Sequence, residues 1–303
     1  TMDNVYQSAS SGHNITLDNT VAYKFKVADK HQFDVVLGQS VEKWGMGSDI
    51  NASGNNSIFE GSFDHAWVDN TKPTVLSQRG AGGSPWGEGA LASFFGRANY
   101  NYKETYMASL TMRADGSSNF AKGKRWGYFP SASAGWVMSN EAFMENTKGW
   151  LDFMKIRASW GQNGNAAIDN FQYQTTFAFD ESNGYYFDSG KLTQTVGGYA
   201  DILANPDVTW ETSEQLNLGF DSRFLNSRLG LTFDWYTKTT KDWLVTAPIS
   251  GVWGLNPPSV NGGDIENRGF EVALNWNDKV DEFNYGATVN FAHNKNEVTR
   301  IAN

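Results

Sequence analysis

Hydrophobic and polar residues alternate with a period of two along most of this chain, the signature of strands whose successive side chains point to opposite faces. From Val21 to Val27 the apolar set Val21, Tyr23, Phe25 and Val27 alternates with Ala22, Lys24 and Lys26. After the short string "ADKH", Phe33, Val35 and Leu37 oppose Gln32, Asp34, Val36 and Gly38, so the pair reads as a hairpin. Tyr106, Ala108, Leu110 and Met112 then oppose Met107, Ser109, Thr111 and Arg113, and Met154, Ile156, Ala158 and Trp160 oppose Lys155, Arg157 and Ser159. Later, Leu216, Leu218 and Phe220 oppose Asn217, Gly219 and Asp221, and Leu229, Leu231, Phe233 and Trp235 oppose Gly230, Thr232 and Asp234. A last hairpin sets Phe270, Val272, Leu274 and Trp276, then Phe283, Tyr285, Ala287, Val289 and Phe291, against Glu271, Asn275, Asn284 and Asn290. About ten segments have the roughly 9 to 11 residues that a tilted membrane-crossing strand needs.

A soluble sandwich would alternate in the same way. Two features favour a membrane barrel instead. The apolar face often ends in an aromatic, as at Trp136, Trp160, Trp235 and Trp276, where a girdle at the lipid headgroups would sit. Connection lengths are also bimodal, with short turns at 28–31, 103–105, 225–227 and 277–281 and long connections at 41–90, 162–207 and 247–264. Membrane barrels have short periplasmic turns and longer outer loops. Consecutive spanning strands must reverse direction, and with Val21 starting downward most short turns fall on one side. The same parity requires 161–207 to begin and end outside, so Phe171 to Phe179 is expected in a loop hairpin, or paired with a second strand near Tyr185.

Composition narrows the reading. The 303 residues are 40% hydrophobic and 15% aromatic, with 31 Gly and only 7 Pro, which suits many strands joined by turns. No stretch approaches the roughly 18 apolar residues of a membrane helix. A formal charge of -9 without clustered Lys or Arg argues against nucleic acid as a partner. There is no cysteine, hence no disulfide framework or thiol chemistry. The opening "TMDNVYQSAS" has neither region of a signal peptide.

Several strings, in order, resemble the SusC/RagA family of TonB-dependent outer-membrane transporters of Bacteroidetes. They are "FFGRANYNYKETYMASLTMRADGSSNF", "GYFPSASAGWVMSNEAFM", "KIRASWGQNGN", "NPDVTWETSEQLNLGFD" and "GDIENRGFEVALNW". The resemblance implies an all-β, antiparallel transmembrane barrel segment, about ten strands of a 22-stranded barrel, in the outer membrane. It covers the middle to later barrel, with no recognisable plug domain, TonB box or terminal strand. It further implies an importer of oligosaccharides or, alternatively, peptides, energised through TonB and working with a SusD-like surface lipoprotein. A soluble carbohydrate-binding sheet module and a small autonomous barrel remain as other readings.

Catalytic chemistry is not indicated. The four histidines, at 13, 31, 65 and 293, have no metal-ligand spacing. Asp115 and Gly116 in "DGSSNF" read as a strand-end turn, and Asp264 and Glu266 in "NGGDIEN" as turn chemistry rather than a Ca²⁺ loop. No cofactor or metal is expected. Lys24, Lys26, Asp34, Arg113, Arg157, Asp221, Arg223, Asp234 and Glu271 are expected on the wet interior face, where charge is tolerable. The candidate ligand-binding residues are loop aromatics, because flat rings stack on sugar faces or peptide side chains. They are Trp44, Phe59, Phe63, Trp67 and Trp86 in the first long connection and Trp253 in the last. The bland alternative is that these rings pack the loops against one another or against a lid.

Overall fold

A computed structural model describes residues 4–72, 79–187 and 193–301. Its strands are β1 (Asn4–Val27), β2 (His31–Asn55), β3 (Arg79–Pro85), β4 (Gly89–Tyr102), β5 (Tyr106–Ser117), β6 (Trp126–Val137), β7 (Leu151–Asn165), β8 (Phe177–Phe187), β9 (Thr193–Ala200), β10 (Glu211–Phe224), β11 (Leu229–Lys241), β12 (Leu244–Thr246), β13 (Ser259–Asn261), β14 (Gly263–Val280) and β15 (Phe283–Ile301). Ten of them form one sheet in the order β1-β2-β4-β5-β6-β7-β10-β11-β14-β15, with β3 on β2. Neighbouring strands pair antiparallel, as in the β5–β6, β10–β11 and β14–β15 hairpins. Alternation led to an expectation of about ten spanning strands, and this path contains ten. No helix is long and apolar enough to cross a membrane.

Backbone contacts divide the chain into two compact units, one of Thr1–Leu17 with Val41–Leu91 and one of Asp18–Ser40 with Ala92–Asn303. Within the second, register converts alternation into two continuous faces. Trp136, Ile156, Phe220, Phe233, Val272 and Phe291 are paired in one row across six strands. The neighbouring row of opposite parity reads Gly135, Arg157, Gly219, Asp234, Glu271 and Ala292. A one-residue slip would exchange these faces, so the pattern itself fixes the register.

The apolar face is the open one. Leu110, in the middle of the sheet, is 63% exposed and Val21 is 71% exposed. Among the described residues only Val5, Phe120, Phe129, Val137, Leu151 and Val208 are buried hydrophobics. A soluble fold of this size would hide its apolar stripe under a second layer. Here the greasy surface is continuous and uncovered, as in a sheet whose apolar side faces lipid. Toward the short-turn end, ring contacts run in a file along it, with His31 joining Tyr100 at 6.0 Å to Tyr102 at 4.7 Å. Phe25 stacks on Phe33 at 4.8 Å, Phe33 meets Tyr100 at 5.0 Å, and Tyr102, Tyr106, Trp136 and Phe143 follow at 6.2 to 6.4 Å. This file is the aromatic girdle that Trp136 foreshadowed.

The short turns use left-handed backbone, with positive φ at Ala28 and Asp29, at Lys103 and Glu104, and from Leu225 to Ser227. Such turns match the twist of the flanking strands. The turn expected at 277–281 is shorter, because Asn277–Val280 stay paired with Phe283–Gly286 and only Asp281 and Glu282 lie between the strands. Asp115 and Gly116 are likewise not turn residues. They lie inside β5, opposite Gly127 and Trp126. Part of the 41–90 connection is strand, since β2 runs on to Asn55 and pairs with β3. In the 162–207 connection, β8 pairs with β9 as a separate two-stranded sheet. Tyr185 is on the same strand as Phe179, and the partner strand is 193–200. In the 247–264 connection, β12 and β13 form a small hairpin.

One seam interrupts the wall. β6 pairs with β7 only from Ser131 to Val137, although β6 remains paired with β5 as far as Trp126 and β7 with β10 as far as Asn165. Pro130 stands where the pairing stops, and proline has no N–H to donate to a ladder. Aromatics fill the site. Trp210 packs edge-on against Phe129 and tilted against Phe120, each at 5.4 Å, and its Nε1 donates to Arg125 O at 2.8 Å. A Cβ at Gly164 would overlap the Phe129 ring. Phe120 and Val208 are 0% exposed. This is the nearest thing to a hydrophobic core in the second unit.

Candidate functional site

Two features can meet a solute: the polar face of the second unit and the exposed aromatics of the connections. On the polar face, β1, β2, β4–β7 and β10 line a cleft of about 740 Å³ that includes Lys24, Lys26, Asp34, Lys155, Arg157 and Asn217. Its floor is a row of small hydroxyls, with Ser109 paired to Ser133 and Ser133 to Ser159.

The charges expected on this face are mostly paired. Arg157 donates Nε to Asp221 at 2.7 Å and Nη1 and Nη2 to Asp234 at 2.9 and 3.0 Å. Thr232 Oγ1 donates to Asp221 at 3.2 Å. Lys24 lies 3.1 Å from Asp34, and Arg113 lies 2.7 Å from Asp115 and donates to Ser93 Oγ at 3.0 Å. The Arg223 guanidinium lies over the Phe153 ring at 5.6 Å. Glu271 stands opposite Asp234 in register. Asp264 is held by Arg300 at 2.8 Å rather than arranged as a cation ligand. Among the described residues no group of three or more His, Cys, Asp or Glu could hold a metal.

The six aromatics singled out in the sequence separate into two kinds. Trp44 and Trp86 are pinned against strands. A Cβ at Gly89 would overlap the Trp44 ring, and one at Gly12 or at Gly47 would overlap the Trp86 ring. These are large rings laid over glycines of neighbouring strands, a known way of covering a glycine in a sheet. Phe59, Phe63 and Trp67 instead share one folded loop. It is closed by Ile58 N to Asn70 O at 3.0 Å and Lys72 N to Asn56 O at 2.9 Å, and anchored by Val68 N to Gln7 Oε1 at 2.9 Å. Phe59 packs on His65 at 4.6 Å, whereas Phe63 is 93% exposed and Trp67 is exposed. Trp253 is exposed in a 3-10 turn, Gly251–Trp253, capped by Ser250.

Sequence reasoning passed over the seam, yet its residues come from the strings quoted above. Phe120 belongs to "ADGSSNF", Phe129 and Pro130 to "GYFPS", Gly164 to "GQNGN", and Val208 and Trp210 to "NPDVTWE". The proline in mid-strand was the available signal, since proline is rarely found inside a central strand.

Residues 2–303 match the family model described as "TonB dependent receptor-like, beta-barrel". The chain belongs to this family. It is 32% identical over 288 residues to TonB-dependent receptor P39 of Formosa agariphila, covering 94% of this chain and 26% of that protein. It is 33% identical over 214 residues to TonB-dependent receptor SusC of Bacteroides thetaiotaomicron, covering 70% of this chain and 21% of SusC. Among solved structures it is similar to the RagAB peptide importer in its closed-closed state, with a TM-score of 0.80, 25% identity, and coverage of 99% of this chain and 31% of that one. The chain therefore spans about a fifth to a third of the length of these relatives. It is β-barrel wall of a TonB-dependent receptor, and its place is the outer membrane.

Proposed function

We propose that the intact protein imports an oligosaccharide or, alternatively, a peptide across the outer membrane, energised through TonB and covered by a SusD-like surface lipoprotein. The observation that carries this reading is the family match over residues 2–303, joined to a sheet with one greasy and one wet face. In this reading the long connections 41–90, 162–207 and 247–264 lie outside and the short turns face the periplasm. Phe63, Trp67 and Trp253 then stand in outer loops, where they contact the solute or the lid. Trp44 and Trp86 serve chiefly to brace the strands. The chemistry is displacement of a solute along a hydrated wall, and no bond-breaking constellation is needed.

The direct test expresses the intact receptor in cells with and without a working TonB system. Uptake of labelled oligosaccharides and of peptides of similar length is then measured. Import that requires TonB and prefers one class supports the reading and names the class. Uptake that is equal without TonB would sink it. Co-purification of a surface lipoprotein from the same membranes tests the partnership separately.

A further inference from the structure

We propose that the wet face of the second unit carries an extended site for an acidic oligosaccharide, one bearing uronate or sulfate groups on more than one sugar. The inference rests on the importer reading above and names the class of its cargo. It starts from charge. The chain carries a formal charge of -9, yet the charged residues lining the 740 Å³ cleft are mainly cationic. Among the described residues the one carboxylate lining it, Asp34, is held by Lys24 at 3.1 Å. Arg157 is engaged by Asp221 on β10 and Asp234 on β11. Lys26 and Lys155 line the same cleft, and neither has an acidic partner among the described residues. A hydrated wall needs polar groups but not an excess of one sign, whereas a cleft of one sign concentrates ligands of the other.

The floor between these cations suits hydroxyl groups. In one register row Ser109, Ser133, Ser159 and Asn217 stand side by side. The next row of the same parity toward the long connections reads Thr111, Ser131, Gly161 and Gln215. Residues of both rows line a second hollow of about 380 Å³ that continues to Gln162 and Asn163. The two hollows share Ser109, Ser133 and Ser159, so a track of hydroxyls and amides leads from the long-connection end down to the lysines. Arg97 stands at the junction. Its Nε donates to Asn99 Oδ1 at 3.1 Å and Ser109 Oγ at 3.4 Å, and it too has no acidic partner among the described residues. Small side chains that both donate and accept match the hydroxyls of a sugar. An extended peptide would need pockets for its side chains, which a row of serines does not supply. Lys26 on β1 and Lys155 on β7 are five strand steps apart, roughly 24 Å along the sheet. That separation suits an oligomer charged at intervals rather than one small anion, and contacts at both ends of one molecule reinforce each other.

The test measures uptake by cells carrying the intact receptor, with and without a working TonB system. Labelled oligogalacturonate and sulfated carrageenan fragments are compared with malto-oligosaccharides and peptides of equal length. The proteins are the wild type, the double variant Lys26→Gln with Lys155→Gln, and Arg97→Gln. Lys148→Gln with Lys279→Gln, which removes as many charges at the short-turn end, is the control. At limiting concentration the wild type should take up at least one acidic probe in preference to the neutral ones. The double variant should slow that uptake about tenfold, the loss expected for one charge-assisted hydrogen bond. Arg97→Gln should slow it by a smaller factor, and the control should leave it unchanged. Galacturonate monomer should compete poorly, because it cannot reach both lysines. TonB-dependent uptake of malto-oligosaccharides or peptides at rates equal to or above both acidic probes would overturn the site and leave the importer reading standing. Uptake that is absent, or equal without TonB, for every probe would overturn the importer reading and the site with it. Heat-modifiable migration on gels reports folding. A double variant that loses thermal stability and slows every cargo alike would show that the lysines hold part of the receptor's own chain, which also overturns the site.

Discussion

Arg157 reaches Asp234 across a strand that has no side chain in the way. The two residues flank Gly219 in one register row, and a Cβ there would stand 2.5 Å from Asp234 Oδ1 and 3.2 Å from Arg157 Nη2. The glycine thus lets one guanidinium bridge β7 to β11 while its Nε holds Asp221 on the strand between. Gly219→Val should separate the pair and leave a partly enclosed carboxylate short of a donor. The expected cost is on the order of 1–3 kcal/mol in unfolding free energy. Arg157→Lys should lose part of the same stability because a point charge cannot serve both carboxylates with a fork. Denaturant titration of the folded receptor checks both, and a Gly219→Val midpoint equal to wild type would contradict the role given to the glycine.

The seam at Pro130 makes a second prediction. Phe129 is buried and packed against Trp210, with no ladder between β6 and β7 at that level to hold the strands together. Phe129→Ala should therefore destabilise by about 3–5 kcal/mol. Leu110→Ala, on the open apolar face of the same wall, should cost far less. Thermal loss of heat-modifiable migration measures the two side by side. A larger loss for Leu110→Ala would place the packing core elsewhere.

Alternation makes most of the strands and their two faces legible in the sequence, because a period of two has only one structural meaning when the two faces meet different solvents. Trp160, Phe220 and Val272 stood where their parity put them. The extent of strands was less legible. β2 continues through "GMGSDINASGN" to Asn55, where glycine, serine and asparagine suggest a loop and only pairing with β3 keeps the backbone extended. The site was legible by residue type but not by role. Trp44 and Phe63 look alike in a sequence. One is laid over Gly89 and the other stands in solvent, and that depends on a strand partner some 45 residues away. The pairing of Arg157 with Asp234 was hidden for the same reason, since register decides which charges meet.

Glu141 offers a pH test at the short-turn end. Its Oε1 accepts from Tyr106 Oη at 2.5 Å and Trp136 Nε1 at 3.1 Å. These donors, Tyr106 first, hold its carboxyl below the ordinary carboxylate range. An acid depressed in the folded state stabilises above its unfolded value, about 4.3, and that stabilisation is lost as pH falls through the folded value. The stability difference between wild type and Glu141→Gln should therefore be present at neutral pH and shrink below about pH 4. Unfolding midpoints measured across that range decide it. A difference that grows on acidification would reverse the sign argued here.

The loop aromatics separate binding from bracing. Phe63, Trp67 and Trp253 are exposed, so replacing each by alanine removes contact surface without opening a packed site. If a ring stacks on the solute, its loss should weaken capture by about 0.5–1.5 kcal/mol, or roughly two- to tenfold in affinity, with the unfolding midpoint unchanged. Trp86 behaves oppositely. Its ring covers Gly12 and Gly47, so Trp86→Ala should lower stability by about 1–3 kcal/mol, because two strand glycines lose the surface that packs on them. Binding of labelled solute to the intact receptor, measured beside thermal unfolding, distinguishes the two kinds. Equal loss of affinity and stability in all four variants would mean that the exposed rings are packing residues too, covered by a lid rather than turned toward the cargo.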